Sequence, residues 1–116
     1  YYGETEIVAS SFEVTGSGGE LSPVALDADE AALDAWQGVL VTVSGTVTNA
    51  SYDCGVDGNC SDEGLWEVGG AAGLVVYDKY YLDTDWSDHV GTLPVTGVMG
   101  YRFDRPRLMP RDADDF

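Results

Sequence analysis

Residues 39 to 48 read Val-Leu-Val-Thr-Val-Ser-Gly-Thr-Val-Thr, and this alternation constrains the fold more than any other stretch. Side chains of a β-strand point to opposite faces with a period of two. Val39, Val41, Val43, Gly45 and Val47 therefore share one face, and Leu40, Thr42, Ser44, Thr46 and Thr48 share the other. A valine stripe backed by hydroxyl side chains predicts a long, half-buried strand. Gly45 falls in its middle, where glycine weakens a straight strand, so the spacing predicts a bend or bulge of the kind that barrels need.

The rest of the chain follows the same β-rich pattern. Fifteen glycines with abundant Val, Thr and Tyr favour many turns and short strands. Leu65–Val68 and Gly73–Tyr77 predict a second and third strand, Leu93–Phe103 a long fourth, and Arg107–Pro110 the start of a fifth. Asp104-Arg105-Pro106 predicts the turn between the last two, and residues 112 to 116 an acidic tail. One short helix is expected over residues 29 to 36. Asp27 or Asp29 would be its N-cap, Ala32, Leu33 and Trp36 its apolar face, and Gly38 its end. Val41, Val43, Val47, Leu74, Val76, Val95 and Val98 are the expected core.

With 116 residues the chain suffices for one core and is too short for two. The expected architecture is an all-β, five-stranded, OB-like barrel over residues 27–116, preceded by an extended, strand-bearing arm over residues 1–26. A β-sandwich is the competitor, for which the count of central strands is low. No apolar run approaches the roughly 18 residues of a membrane span. No basic-then-apolar leader opens the sequence. Tyr1 fits either the residue after a removed signal or a cut from a longer protein.

The formal net charge is -16, from 21 acids against five bases. Such a surface repels the phosphates of nucleic acid and suits an extracellular or saline setting, or cation binding. One loop gathers several oxygen donors. Asp53, Asp57, Asn59, Asp62 and Glu63 place five oxygen-donor side chains within residues 53–63, which also hold Cys54 and Cys60. Ca²⁺ requires several oxygens converging from a bent backbone, and a small disulfide ring containing Gly55 and Gly58 supplies a bend. Calcium is accordingly the expected cofactor. The spacing departs from the EF-hand loop, and the plain alternative is a disulfide-pinned acidic loop without metal. A Cys54–Cys60 disulfide implies an oxidising, extracellular or cell-surface location; two reduced thiols are the alternative. A second acidic set, Asp78, Asp83, Asp85 and Asp88, lacks a glycine pivot and reads as a solvent-facing loop. Asn49-Ala50-Ser51 and Asn59-Cys60-Ser61 match the glycosylation sequon.

Catalysis has no signature here. His89 is the lone histidine and no Gly-x-Ser-x-Gly elbow is present. With 21 acids, a pair of carboxylates at a suitable spacing carries no weight. Arg102, Arg105, Arg107 and Arg111 contribute four of the five bases within ten positions. Internal pairing with Asp104, Asp112, Asp114 and Asp115 is the first expectation. An interface with the acidic surface of another copy is the second, and a nucleic-acid face with Tyr101 and Phe103 as stacking groups the third. Tyr77, Tyr80, Tyr81 and Trp86 read as core or rim packing.

Four stretches together resemble a known pattern. They are Trp36-Gln37-Gly38-Val39-Leu40-Val41-Thr42-Val43-Ser44-Gly45, Leu74-Val75-Val76-Tyr77-Asp78, Val95-Thr96-Gly97-Val98 and Arg107-Leu108-Met109-Pro110-Arg111. This pattern resembles the OB-like domains of bacterial secreted proteins, which accompany extracellular nucleases and surface lipoproteins. The likeness covers residues 30 to 115 and rests on core and turn positions. It implies an accessory module and brings no catalytic residue to this chain. Tyr2-Gly3-Glu4-Thr5-Glu6-Ile7 is similar in type to the closing hairpin of a preceding OB-like unit. The arm is thus expected to contact a neighbouring unit or another copy, or else to add strands to its own barrel. The function expected is a non-catalytic extracellular structural or binding module, calcium-stabilised and self-assembling through its arm. The alternative is an accessory nucleic-acid-binding domain of a secreted nuclease.

Overall fold

The computed structural model describes residues 8–49, 65–70, 73–77, 89, 91–102 and 104–116. Seven strands form one mixed sheet. They are β1 (Val24–Asp27), β2 (Leu40–Ser44), β3 (Val47–Asn49), β4 (Leu65–Val68), β5 (Leu74–Tyr77), β6 (Val95–Arg102) and β7 (Arg105–Met109). Their order across the sheet is β1-β2-β6-β7-β5-β4-β3. Pairs β1–β2 and β5–β7 are parallel and the others antiparallel. No described helix is long and apolar enough to cross a membrane.

This replaces the expected five-stranded barrel with a seven-stranded open sheet, for two physical reasons. Gly45 at φ 155° takes the chain out of strand geometry, so the single strand expected over residues 39–48 becomes β2 and β3. Val24–Asp27 then adds a parallel edge strand, pairing Val24 with Val41 and Leu26 with Val43. The end of the expected arm is thus part of this sheet. Gly45 and Thr46 alone connect β2, near one edge, to β3, at the opposite edge. Three Cα steps reach at most about 11 Å, so the sheet must curl until its ends approach. The described ladders do not join those ends.

The core lies inside this curl. Val41, Val43, Trp66, Val68, Leu74, Val76, Val95 and Leu108 are fully buried there, joined by Leu26, Ala28, Ala31 and Met99. Five of the seven expected core residues belong to this cluster. Val47 is half-buried against it, whereas Val98 points to the other face and Met99 takes the inner position. Strand β5 is buried on both faces. Leu74 and Val76 enter the core, while Val75 and Tyr77 join Met109 in a second cluster on the opposite face. On that outer face the hydroxyls of Thr42 and Thr96, paired across β2 and β6, hydrogen bond at 2.9 Å.

The helix is shorter than expected. Helix α1 spans Ala28–Ala31, and a separate 3-10 turn spans Asp34–Trp36. Asp27 is the N-cap, its Oδ1 accepting from the Glu30 N–H at 2.8 Å. Ala28 and Ala31 form the buried face, with Ala32 and Trp36 packed beside the core and Leu33 exposed. Leu33 takes an extended backbone (φ -72°, ψ 143°), which ends α1 after one turn and separates it from the 3-10 turn.

Two corrections apply to the C-terminal part. Arg105 and Pro106 lie in β7, opposite Arg102 and Tyr101, so the turn is tighter than expected and Asp104 carries it at φ 58°. Residues 112–116 are not a free tail. Ala113–Asp115 forms a 3-10 turn against β6 whose Asp115 is buried. Phe116 packs on the core, with its ring 4.3 Å from that of His89 and 5.9 Å from that of Trp66.

Asp115 is held there by charge. Its carboxylate accepts from Arg111 at the backbone N (2.7 Å), Nε (3.0 Å) and Nη2 (2.6 Å). Burial alone would raise its pKa. The hydrogen bonds from Arg111 and the attraction of its charge outweigh burial and hold the carboxyl below its usual range. A lowered folded-state value means that this contribution is present above the unfolded pKa of about 3.9 and is lost as pH falls through the folded one. Asp115→Asn is therefore expected to lower stability by about 1–3 kcal/mol at pH 7. The difference from the parent should shrink as pH drops below about 4. Urea unfolding at pH 7, 4 and 3 checks this; a pH-independent difference would refute the assignment.

Candidate functional site

The charge distribution locates the candidate surface. Residues 1–78 contain no Lys or Arg, and every arginine lies between positions 102 and 111. Strands β6 and β7 form a hairpin that sets Arg102 opposite Arg105 and Gly100 opposite Arg107. Like charges facing across a hairpin destabilise it unless each is balanced. The balance comes chiefly from other strands.

Arg105 pairs with Glu67 on β4, Nη1 to Oε1 at 2.5 Å, and its side chain stays 37% exposed. The Arg107 guanidinium carbon sits 4.5 Å over the Tyr77 ring centroid on β5, and its Nε donates to the Arg102 carbonyl at 3.4 Å. Arg107 and Tyr77 are both buried, so this stacked pair presents no open ring. Arg111 binds Asp115 while its side chain remains 46% exposed. Internal pairing with nearby acids is thus seen for Arg111 and Asp115. For Arg105 the partner is the distant Glu67, which sequence reasoning missed. Its signal was the one acid between Trp66 and Val68, on the strand face away from the core.

A second surface feature is the segment before β1. Residues 8–23 have no helix or strand, and all are exposed. Val8, Phe12, Val14 and Leu21 are 92%, 90%, 80% and 77% exposed. Glu13 and Glu20 lie among them, and Phe12, Glu13 and Val14 alternate as in an amphipathic strand.

A surface depression of about 420 Å³ is lined by Asp27, Ala28, Asp29, Gly45, Thr46, Gly69 and Gly70. It forms where the β2–β3 bend meets the start of α1 and the end of β4. Gly69 N–H donates to the Thr46 carbonyl at 3.0 Å. Both carboxylates are engaged by backbone: Asp27 caps Glu30, and Asp29 Oδ1 accepts from Gly70 N–H at 3.0 Å.

The proposed calcium ligands Asp53, Asp57, Asn59, Asp62 and Glu63 lie outside the described residues, as do Cys54 and Cys60. Asp78, Asp83, Asp85 and Asp88 lie outside them as well. Among the described residues no three His, Cys, Asp or Glu side chains converge as a metal set. No family model, curated protein or solved structure matches this chain.

Proposed function

We propose that this chain is a non-catalytic extracellular structural or binding module that associates with neighbouring copies through the segment preceding β1. The observation that carries this reading is the arm itself, with large apolar side chains along residues 8–21 and Phe12 at 90% exposure. Large apolar side chains left uncovered along one extended segment are suited to contact with a partner. An extended segment of this kind adds readily to a sheet edge, and the sheet is open at β1 and β3.

The OB-like reading draws support from the strand order. With β2 and β3 taken as one bent strand, its two halves flank β6 on one side and β4 on the other. Five strands then make a circuit that is not fully paired, as in a partly open Greek-key barrel. The extracellular setting rests on the Cys54–Cys60 spacing and on the acidity of the chain. Calcium at Asp53, Asp57, Asn59, Asp62 and Glu63 would offset the repulsion between copies that each carry a formal charge of -16.

Deletion of residues 1–22 tests the reading, because it removes the arm and leaves β1 in place. Sedimentation equilibrium over a concentration series, with and without millimolar Ca²⁺, is expected to show association of the full chain. The shortened chain should be monomeric with an unchanged melting temperature. A full chain that stays monomeric in both conditions would refute the proposal. The alternative, a nucleic-acid-binding accessory domain, is favoured by the clustered arginines. It is disfavoured by the mutual burial of Tyr77 and Arg107. Single-stranded DNA binding that weakens steeply with salt would select it.

A further inference from the structure

We propose that the arginine-bearing β6–β7 hairpin of one copy receives the acidic arm of a second copy. This rests on the arm-mediated reading above and names the acceptor for it.

Charge segregation is the first argument. The arm carries Glu13 and Glu20 and belongs to a stretch of 78 residues with no base, while all four arginines sit on or just after the hairpin. Elsewhere on a chain of charge -16, an acidic arm meets repulsion. The turn end of the hairpin offers guanidinium groups on either side of Asp104. Arg105 there keeps 37% of its side chain exposed while paired to Glu67, whereas Arg111 lies past the far end of β7 with Asp115. Arg105 can add a second carboxylate, since a guanidinium offers five N–H donors.

Strand geometry is the second argument. Strand β2 pairs with β6 only from Val95 to Val98, and the contact ends where Met99 N–H donates to the Val39 carbonyl and Gly38 N–H donates to the Met99 carbonyl. Strand β6 continues to Arg102. Among the described residues no strand lies beside Tyr101 and Arg102 on the β2 side. That short edge adjoins the arginines and suits an extended segment. An arm with Phe12 and Val14 on one side and Glu13 on the other can add its backbone to the edge and turn Glu13 to the guanidinium groups. Donor and acceptor are different surfaces, so the contact is head-to-tail and generates rings or open chains rather than a two-fold dimer.

The test exploits a difference in sign. Replacing both arm glutamates, Glu13→Lys with Glu20→Lys, brings the chain closer to neutrality. If copies met through their acidic surfaces, association would tighten. Docking on arginine predicts that it weakens, by about tenfold or more in the apparent Kd measured by sedimentation. A rise in salt from 0.05 to 0.5 M should likewise weaken the parent chain. The reciprocal variant, Arg102→Glu with Arg105→Gln, should weaken association alone and recover it when mixed with the lysine-arm chain. Should that variant fail to fold by circular dichroism, the lysine-arm chain decides by itself, because its substitutions lie on exposed arm residues. Unchanged or tighter association of that chain overturns the hairpin as acceptor. If the arm deletion still gives a monomer, arm-mediated association survives that outcome. A parent chain that never associates overturns both.

Discussion

Trp66→Ala is expected to destabilise the fold by about 3–5 kcal/mol, the range for removing a buried aromatic side chain. Trp66 tops the fully buried side chains by volume, with no exposure at all. It stands on β4, next to an outer strand of the sheet, opposite Val76. Its ring reaches across the core toward Phe116, whose centroid is 5.9 Å away. Truncation thus opens a cavity between β4 and the C-terminal turn, and the surrounding strands cannot close it without breaking their ladders. Domains of this size are stable by only about 5–15 kcal/mol, so the loss takes about a fifth of the total or more. Urea unfolding followed by circular dichroism measures it. A loss under about 1.5 kcal/mol would place the tryptophan outside the main core.

Gly97→Ala should cost about 1–3 kcal/mol although it adds a single methyl group. A Cβ at position 97 would lie 2.7 Å from both the carbonyl carbon and oxygen of Met109 and 2.9 Å from the nitrogen of Pro110. These are backbone atoms, so no side-chain rotation relieves the clash. The close approach is what lets the chain leave β7 over the inner face of β6 and deliver Phe116 to the core. The substitution should therefore act in two places. The melting temperature falls, and the His89 ring loses the ring-current shift that its 4.3 Å stack on Phe116 produces. A fall in melting temperature with the His89 resonances unmoved would show that the exit path tolerates the methyl group.

The parts of the fold that were legible in the sequence are those written in local alternation. Leu65–Val68 forms the strand read for it, and the valine stripe of residues 39–47 faces the core as its period required. Gly45 signalled a bend. That the bend would place β2 near one edge of a sheet and β3 at the other depends on partners dozens of residues away, which no local period encodes. The same holds for β1: residues 23–26 read as a short extended stretch, but no local period encodes their parallel pairing with β2. Arg105-Pro106 reads as a turn by composition, yet the pairing of Tyr101 with Pro106 draws it into a strand. Among the arginines, the Arg111–Asp115 pair was foreseeable from its four-residue spacing. The reach of Arg105 to Glu67 and of Arg107 to Tyr77 follows only from strand order. The acidic tail misled because charge suggested solvent, whereas Asp115 is buried beneath Arg111, a half-exposed cation that neutralises it.

The two-residue link at Gly45–Thr46 also bears on how the chain acquires its shape. A meander can grow from one hairpin outward, each new strand pairing with the last. Here the strand before the link waits for Val95–Val98 and the strand after it waits for Val68 and Glu67, so the two halves draw distant segments together from opposite sides. Loop-closure entropy is spent before most pairings form, which places such wiring among the slower, millisecond-to-second folders. A short glycine joint thus ties the two searches together: once it is bent, β2 with its neighbours and β3 with its own are held within two residues of each other.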